Sequence, residues 1–384
     1  MLVPTILGFS ESFLQTRGGL WTAREIAQQP QMLLETQKLL MAHREQVERF
    51  LEPLLARRDL RVILTGAGTS AFIGESLAPW LASKLQRRMD AIATTDLISA
   101  PDVYFSADVP TLMVSFGRSG NSPESVAAVE LANRCVKEVH NLVITCHDEG
   151  ALARATVAPR GLVIVLPEAT HDRGFAMTSS YSCMTYAGLA AFSGIEAFES
   201  KIGAISEGVG QLISDYSDVL KAASEQGFER VVYLGSHIFK GTAREAALKM
   251  MELTNGAVVT LFDSPVGFRH GPKTFVNDKT LVFVFVSNDP YTRQYDVDML
   301  EELHRDGEAG RVIAVTARDG AGGDQILVHG LADAEDCDLL FPYIVAPQIL
   351  AFEQSLFRGL TPDKPNTSGT VHRVVQGVQI HERA

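Results

Sequence analysis

Ser115-Phe116-Gly117-Arg118-Ser119-Gly120-Asn121-Ser122-Pro123-Glu124-Ser125 joins two kinds of pattern. Before it, Thr111-Leu112-Met113-Val114 is an apolar run that reads as a buried strand. After it, residues 123–132 read as a helix, with Pro123 in the first turn and Glu124 beside it, as at a helix N-terminus. Between the two sit Ser119, Gly120 and Ser122. Small residues let a ligand approach the backbone, and hydroxyls with helix-end N–H groups are the donors a phosphate needs. The stretch reads as a phosphate cradle, although a plain strand-to-helix turn with serine caps has the same letters.

The same grammar recurs on both sides. Arg61-Val62-Ile63-Leu64-Thr65 reads as a strand, residues 66–70 (Gly-Ala-Gly-Thr-Ser) as a turn and 71–85 as a helix. Residues 141–145 and 162–166 are two further apolar strands, and 177–192, rich in Ala, Thr and Ser, suits a buried helix. The pattern then starts again, with strands at 230–234, 280–287 and 311–316 and helices at 242–253 and after Pro290. Strand ends Thr65 and Leu234, Ser115 and Ser287, and Thr145 and Thr316 are separated by 169, 172 and 171 residues. Apolar strands alternating with helices at a fixed repeat indicate a duplicated α/β unit with parallel sheets covered on both faces. The join is expected between 200 and 225, inside a helical run rather than a linker. Ligands of such sheets sit at the carboxyl ends of strands, so residues 66–70 and 117–122 share one rim. Ahead of the first strand, Thr22 and Glu25 have capping-box spacing, so a helix is expected to start near Ala23. Pro30 is expected to interrupt it, and 31–55 to form one further helical run.

The chain has 384 residues, 46% of them hydrophobic, and a net charge of −12, which argues against nucleic-acid and anionic-membrane partners. Cys135, Cys146, Cys183 and Cys337 are far apart and form no metal-binding pair, which fits a reducing, cytoplasmic setting. No basic leader precedes an apolar segment at the start, and no apolar run reaches the roughly 20 residues of a membrane helix.

The most suggestive polar set lies in the second half. Glu245, Lys249 and Glu252 are spaced i, i+4 and i+7, so they share one helix face among Ala and Met neighbours. An exposed charge stripe would look similar. Soon after comes Gly267-Phe268-Arg269-His270-Gly271-Pro272-Lys273, which places a histidine in a loop. Glutamate, histidine and a phosphate cradle are the parts aldose–ketose chemistry requires. A carboxylate partly withdrawn from water can take and return a proton between C1 and C2, a lysine can steady the oxyanion, and a second group can open the ring.

With these residues the chain resembles the SIS (sugar isomerase) family over about 46–365. The resemblance rests on residues 66–70, Ser119-Gly120-Asn121-Ser122, Glu245-x-x-x-Lys249-x-x-Glu252 and Arg269-His270-Gly271-Pro272. The layout is similar to the isomerase half of glucosamine-6-phosphate synthase, with nothing before Thr22 able to encode a glutamine-using domain. Thr22-Ala23-Arg24-Glu25-Ile26-Ala27-Gln28-Gln29-Pro30 and the ending 368–378 look more like the AgaS-type proteins of galactosamine breakdown.

That resemblance implies two SIS domains, each a three-layer α/β/α sandwich with a mainly parallel, flavodoxin-like sheet. An N-terminal arm and helix would occupy 1–45, the domains 46–205 and 206–365, and a tail 366–384. It implies that Ser119 and Ser122, with backbone N–H groups near Gly120 and Asn121, hold a 6-phosphate. Thr69, Ser70 and, on a looser match, Thr178 and Ser179 would line the sugar. Glu252 would shuttle the proton with Lys249 close by, and His270 would assist ring opening from the second subunit of a homodimer. Gly117 and Arg118 depart from the synthase pattern. Arg118 either strengthens phosphate binding or pairs with Glu124. The synthase's C-terminal lysine has no counterpart, since Thr370, Val371 or His372 stands there.

The implied function is an isomerising deaminase that converts galactosamine 6-phosphate to tagatose 6-phosphate and ammonia, with no cofactor and no metal. The alternatives are aldose–ketose isomerisation of a hexose phosphate without deamination and, in another class, a sugar-phosphate-binding regulator.

Overall fold

The computed structural model describes residues 5–375 and 377–381. Residues 1–4 of the N-terminal reading, Gln376 of the tail motif and residues 382–384 lie outside them. Helices of eight residues or more are labelled. Leu20–Ala27 (α1), Gln29–Ala42 (α2) and Arg44–Leu55 (α3) precede the first sheet. That sheet comprises β1 (Arg61–Thr65), β2 (Arg88–Ala91), β3 (Thr111–Gly117), β4 (Val139–Thr145) and β5 (Gly161–Val165), with helices α4 (Thr69–Leu85), α5 (Pro123–Cys135) and α6 (Ser179–Ser193). After α7 (Ile202–Ser224) come β6 (Arg230–Gly235), α8 (Phe239–Leu253), β7 (Val259–Asp263), β8 (Thr280–Phe285), α9 (Pro290–Asp306), β9 (Arg311–Thr316), β10 (Asp324–Leu327) and α10 (Asp336–Phe357).

The two sheets are built alike. The first runs β2-β1-β3-β4-β5 and the second, read in reverse, β7-β6-β8-β9-β10, with every pairing parallel. Each is the doubly wound order whose switch point lies between its first and third strands. Two compact units follow the sheets. Among the described residues, 32–171, 179–200, 370–375 and 377–381 hold the first; 5–31, 172–178 and 201–369 hold the second. The first unit is packed around Ile63, Met113, Ala128 and Val139, and the second around Val232, Val282, Phe268 and Met299. Strand residues buried on both faces explain the unbroken apolar runs of β1, β3, β6 and β8.

The strand-to-helix corner after the first strand is the same in both sheets. A Cβ on Gly66 would stand 2.5–2.8 Å from Ser70, and one on Gly235 would stand 2.4–2.8 Å from Phe239. Both corners need the backbone of the following helix pressed against the glycine. The rims then diverge. At the end of β8 the N–H groups of Ser287 and Asn288 donate to Asp296 (2.9 Å) and Asp336 (2.7 Å), while the hydroxyls of Ser236 and Ser287 bind the same two carboxylates. Burial first pushes the Asp296 carboxyl up to about 7.

The N-terminal expectations need correction. Helix α1 begins at Leu20, behind Gly18 in the left-handed region, and Gly19 is its N-cap. Thr22 and Glu25 lie inside the helix and form no capping box. The Thr22 N–H and hydroxyl both donate to Asp363 (2.8 Å each), and Glu25 is drawn inward to the N–H groups of Arg173 and Gly174. The break falls at Gln28 rather than at Pro30, which sits in the first turn of α2 where its missing N–H costs nothing. A second break at His43 divides the expected single run at 31–55. Helix α10 is the one described helix long and apolar enough to cross a membrane, and its apolar stretch is wholly buried within the protein.

Candidate functional site

In the first-sheet unit, β1 and β3 are neighbours, so their carboxyl ends bring residues 66–70 and 117–122 to one rim, at the switch point. Gly68 takes φ 56° to open α4, whose first residues, Thr69 and Ser70, are buried. On the β3 side Gly120 takes φ 62°, where a side chain would be strained. The cradle is braced from β4 and the loop behind it. Thr145 Oγ donates to the Gly117 carbonyl (2.7 Å), the Gly120 carbonyl accepts from Leu152 N–H (2.9 Å), and Asn121 Oδ1 accepts from Ala151 N–H (2.9 Å). Ser122 is the N-cap of α5 with Pro123 at its first position, and its hydroxyl reaches Ser125 Oγ (2.6 Å) rather than the helix backbone. Ser119 Oγ accepts from Asn121 N–H (3.3 Å). The arrangement is a short loop of hydroxyls over a helix N-terminus, which suits an anion.

Arg118 is buried in this loop, and its guanidinium donates to the Arg373 carbonyl in the tail (3.0 Å). Of the two sequence-level alternatives for Arg118, an ion pair with Glu124 is not the contact formed: Glu124 is buried with Oε2 lacking a hydrogen-bond partner.

In the second-sheet unit, α8 places Glu245, Lys249 and Glu252 along one face, and the face is buried. Lys249 is fully buried, with its ammonium 3.4 Å from Glu245 and bonded to Glu252. Glu252 alone of the three keeps an open side, at 23% side-chain exposure. A cation so enclosed holds the neighbouring carboxylate in place. His270 stands exposed in a loop whose two ends are pinned. Arg269 (2.6 Å) and Lys273 both pair with Glu302 on α9, and these pairs hold the Glu302 carboxyl below its usual range, Lys273 contributing most. Gly271, at φ 118°, turns the chain between them.

Thr178 and Ser179 are both buried at the start of α6, and Thr178 N–H donates to Asp172 (2.8 Å). Asp172 and Glu302 went unread in the sequence, and Glu25 was read only as half of a capping box. Asp172 and Glu302 act on residues that were read, Thr178 and the pair Arg269 and Lys273, whereas Glu25 acts on the unread Arg173 and Gly174, each through a contact that no local pattern announces. The basic pair Arg269 and Lys273 around His270 was the available sign of Glu302.

The SIS domain model matches residues 54–194, the span of the first sheet and its rim. A Streptomyces coelicolor protein provisionally named D-galactosamine-6-phosphate deaminase AgaS is 49% identical over 366 residues, covering 94% of this chain and 95% of the other. The Escherichia coli D-galactosamine-6-phosphate deaminase AgaS is 46% identical, covering 94% and 96%. The crystal structure of tagatose-6-phosphate ketose/aldose isomerase from Escherichia coli superposes with a TM-score of 0.87 at 44% identity, covering 95% of this chain and 97% of that one. With nearly half of its residues shared along almost its whole length, and both sheets wound alike, the chain belongs to the AgaS group of SIS-domain proteins.

Proposed function

We propose that this protein is an isomerising deaminase that converts galactosamine 6-phosphate to tagatose 6-phosphate and ammonia. The substrate comes from the names of its relatives, and the observation that carries the chemistry is the buried Lys249 paired with the part-open Glu252. The phosphate is held by Ser119, Ser122 and the backbone N–H groups near Gly120 and Asn121. Thr69, Ser70, Thr178 and Ser179 line the sugar, and His270 assists ring opening. Glu252 removes the C2 proton of the open-chain amino sugar and returns it to C1. Water then adds to the C2 imine, the C–N bond breaks, and the ketose and ammonia leave. Lys249 keeps the base oriented and steadies charge that develops on the substrate oxygen.

The working form in this reading is a homodimer with His270 supplied across the subunit interface. The exposed apolar side chains of Met251, Val259 and Val266, close in the chain to Glu252 and His270, support it. The reading takes 46–205 and 206–365 as the two SIS domains and places the hydrolytic step in cytoplasmic N-acetylgalactosamine breakdown.

Ammonia release from galactosamine 6-phosphate and glucosamine 6-phosphate, measured side by side, tests the proposal. Ammonia from the galacto sugar alone is expected. A second reading, ketose–aldose isomerisation without deamination, is favoured by the name of the Escherichia coli crystal structure. It takes over if neither amino sugar yields ammonia while tagatose 6-phosphate exchanges its C1 proton with solvent.

A further inference from the structure

We propose that Glu25 and Asp172 are positioning residues that fix the turn leading into Thr178 and Ser179, which makes helix α1 part of the substrate-binding machinery. The inference rests on the reading of Thr178 and Ser179 as sugar-lining residues. The segment Asp172–Thr178 packs within the second-sheet unit, apart from the chain on either side of it, and carries no regular secondary structure. Its conformation therefore depends on what it is tied to.

The ties are buried carboxyls. Glu25 is 4% exposed and accepts the N–H groups of Arg173 (2.5 Å) and Gly174 (3.1 Å to each oxygen). Asp172 is fully buried and accepts the Thr178 N–H (2.8 Å), closing the turn on itself one residue before α6. The Trp21 ring, one turn before Glu25, lies 4.4 Å from the Arg173 guanidinium. On its other side α1 is anchored by Asp363, which accepts from Trp21 N–H (3.1 Å) and from both donors of Thr22. Placing two acids together away from water is costly, and apolar packing would have held the helix as well. Acceptors aimed at consecutive loop amides instead give the loop one conformation, so ordering it need not come out of ligand binding. Burial first, and Asp172's charge second, push the Glu25 carboxyl up to about 8, so glutamine is a close stand-in for the form present at neutral pH.

The test is steady-state kinetics and calorimetric binding of galactosamine 6-phosphate for Glu25→Ala, Glu25→Gln, Gly174→Ala and Ser179→Ala, each with a thermal melt. Glu25→Ala is expected to raise KM and the binding constant by about 10-fold with a smaller loss in kcat, and Glu25→Gln to stay within about 3-fold of the parent. In Gly174→Ala the new Cβ would stand 2.8 Å from Glu25 Oε2 and 2.9 Å from Thr22 Oγ1, prising the loop from the helix, and KM should rise in the same way. The double variant should be no worse than the worse single one, because bond and clash share one contact. Should Glu25→Ala fail to fold, Gly174→Ala and Glu25→Gln still decide. The proposal is overturned if these changes lower the melting temperature while KM and kcat of the folded protein stay put and Ser179→Ala raises KM. If Ser179→Ala also leaves KM unchanged, it is the assignment of the turn to the sugar that falls.

Discussion

Lys249 has no exposed surface, and its charge is answered within its own helix by Glu245 and Glu252. Glutamine at 252 keeps the shape and the lysine contact while removing the base. Glu252→Gln is therefore expected to lower turnover by about 10³-fold and to leave the affinity for a phosphosugar nearly unchanged, measured by ammonia release and calorimetry. Glu353, outside the proposed chemistry, makes a different prediction. Burial in α10 pushes its carboxyl up to about 8; Lys221 opposes the shift, and Glu225 and Asp218 add to it. The folded chain keeps that proton while the unfolded chain releases it near 4.5. The contribution to stability is thus full below about 4.5 and lost as pH rises through 8. Glu353→Gln should match the parent in acid and exceed it at pH 9 by on the order of 3 kcal/mol, read from denaturant melts at both pH values. These residues differ in legibility. Glu252 declared itself by its spacing from Lys249, whereas Glu25 acts on an amide 148 positions away and resembled a helix cap.

The strand–corner–helix element is where sequence reading succeeded most fully. Strands β1, β3, β6 and β8 are buried on both faces, so their apolar runs were unbroken, and the corners after them were marked by Gly, Ser and Asn. Three of the four edge strands of the two five-stranded sheets escaped, while β5 was read from its apolar run at 162–166. β2 (Arg-Met-Asp-Ala) and β10 (Asp-Gln-Ile-Leu) pair on one side only and carry charges, which leaves no run to detect, and β7 (Val-Thr-Leu-Phe-Asp) went unread although its letters are largely apolar. Helix α10 was missed because it is apolar all round and contains Pro342 and Pro347, which leaves no amphipathic period. The two matching corners separate fold from ligand. Gly66→Ala and Gly235→Ala meet similar clashes, so both should lower the melting temperature by several degrees. Gly66→Ala alone should also raise KM, by about 10-fold, because only its corner belongs to the proposed sugar rim. Equal effects on KM would remove the rim from its assigned place.

For the whole molecule, the duplication was legible from strand ends repeating at nearly constant separation, and the two sheets bear it out with one strand order. That residues 5–31 group with the second sheet was not legible, since no pattern in α1 names a partner so distant. A shared-site dimer makes a prediction that no single chain can satisfy. Glu252→Gln and His270→Ala are each expected to be nearly inactive, yet after unfolding and refolding together, activity should return to about a quarter of the parent level, since mixed dimers hold one intact site. No recovery, with mixed dimers demonstrated, would place both residues in the same chain's site. Duplication supplied two rims of the same design, and in the second the amides of Ser287 and Asn288 are already engaged by Asp296 and Asp336. In the proposed reading the first copy is the receptor and this one a keystone. Its loop is tied to α9 and α10 through those two acids, and the Asn288 side-chain amide donates to the carbonyls of Leu331, Ala332 and Ala334. Anyone seeking to design a second anion site into this chain would have to evict those carboxylates before adding a single donor.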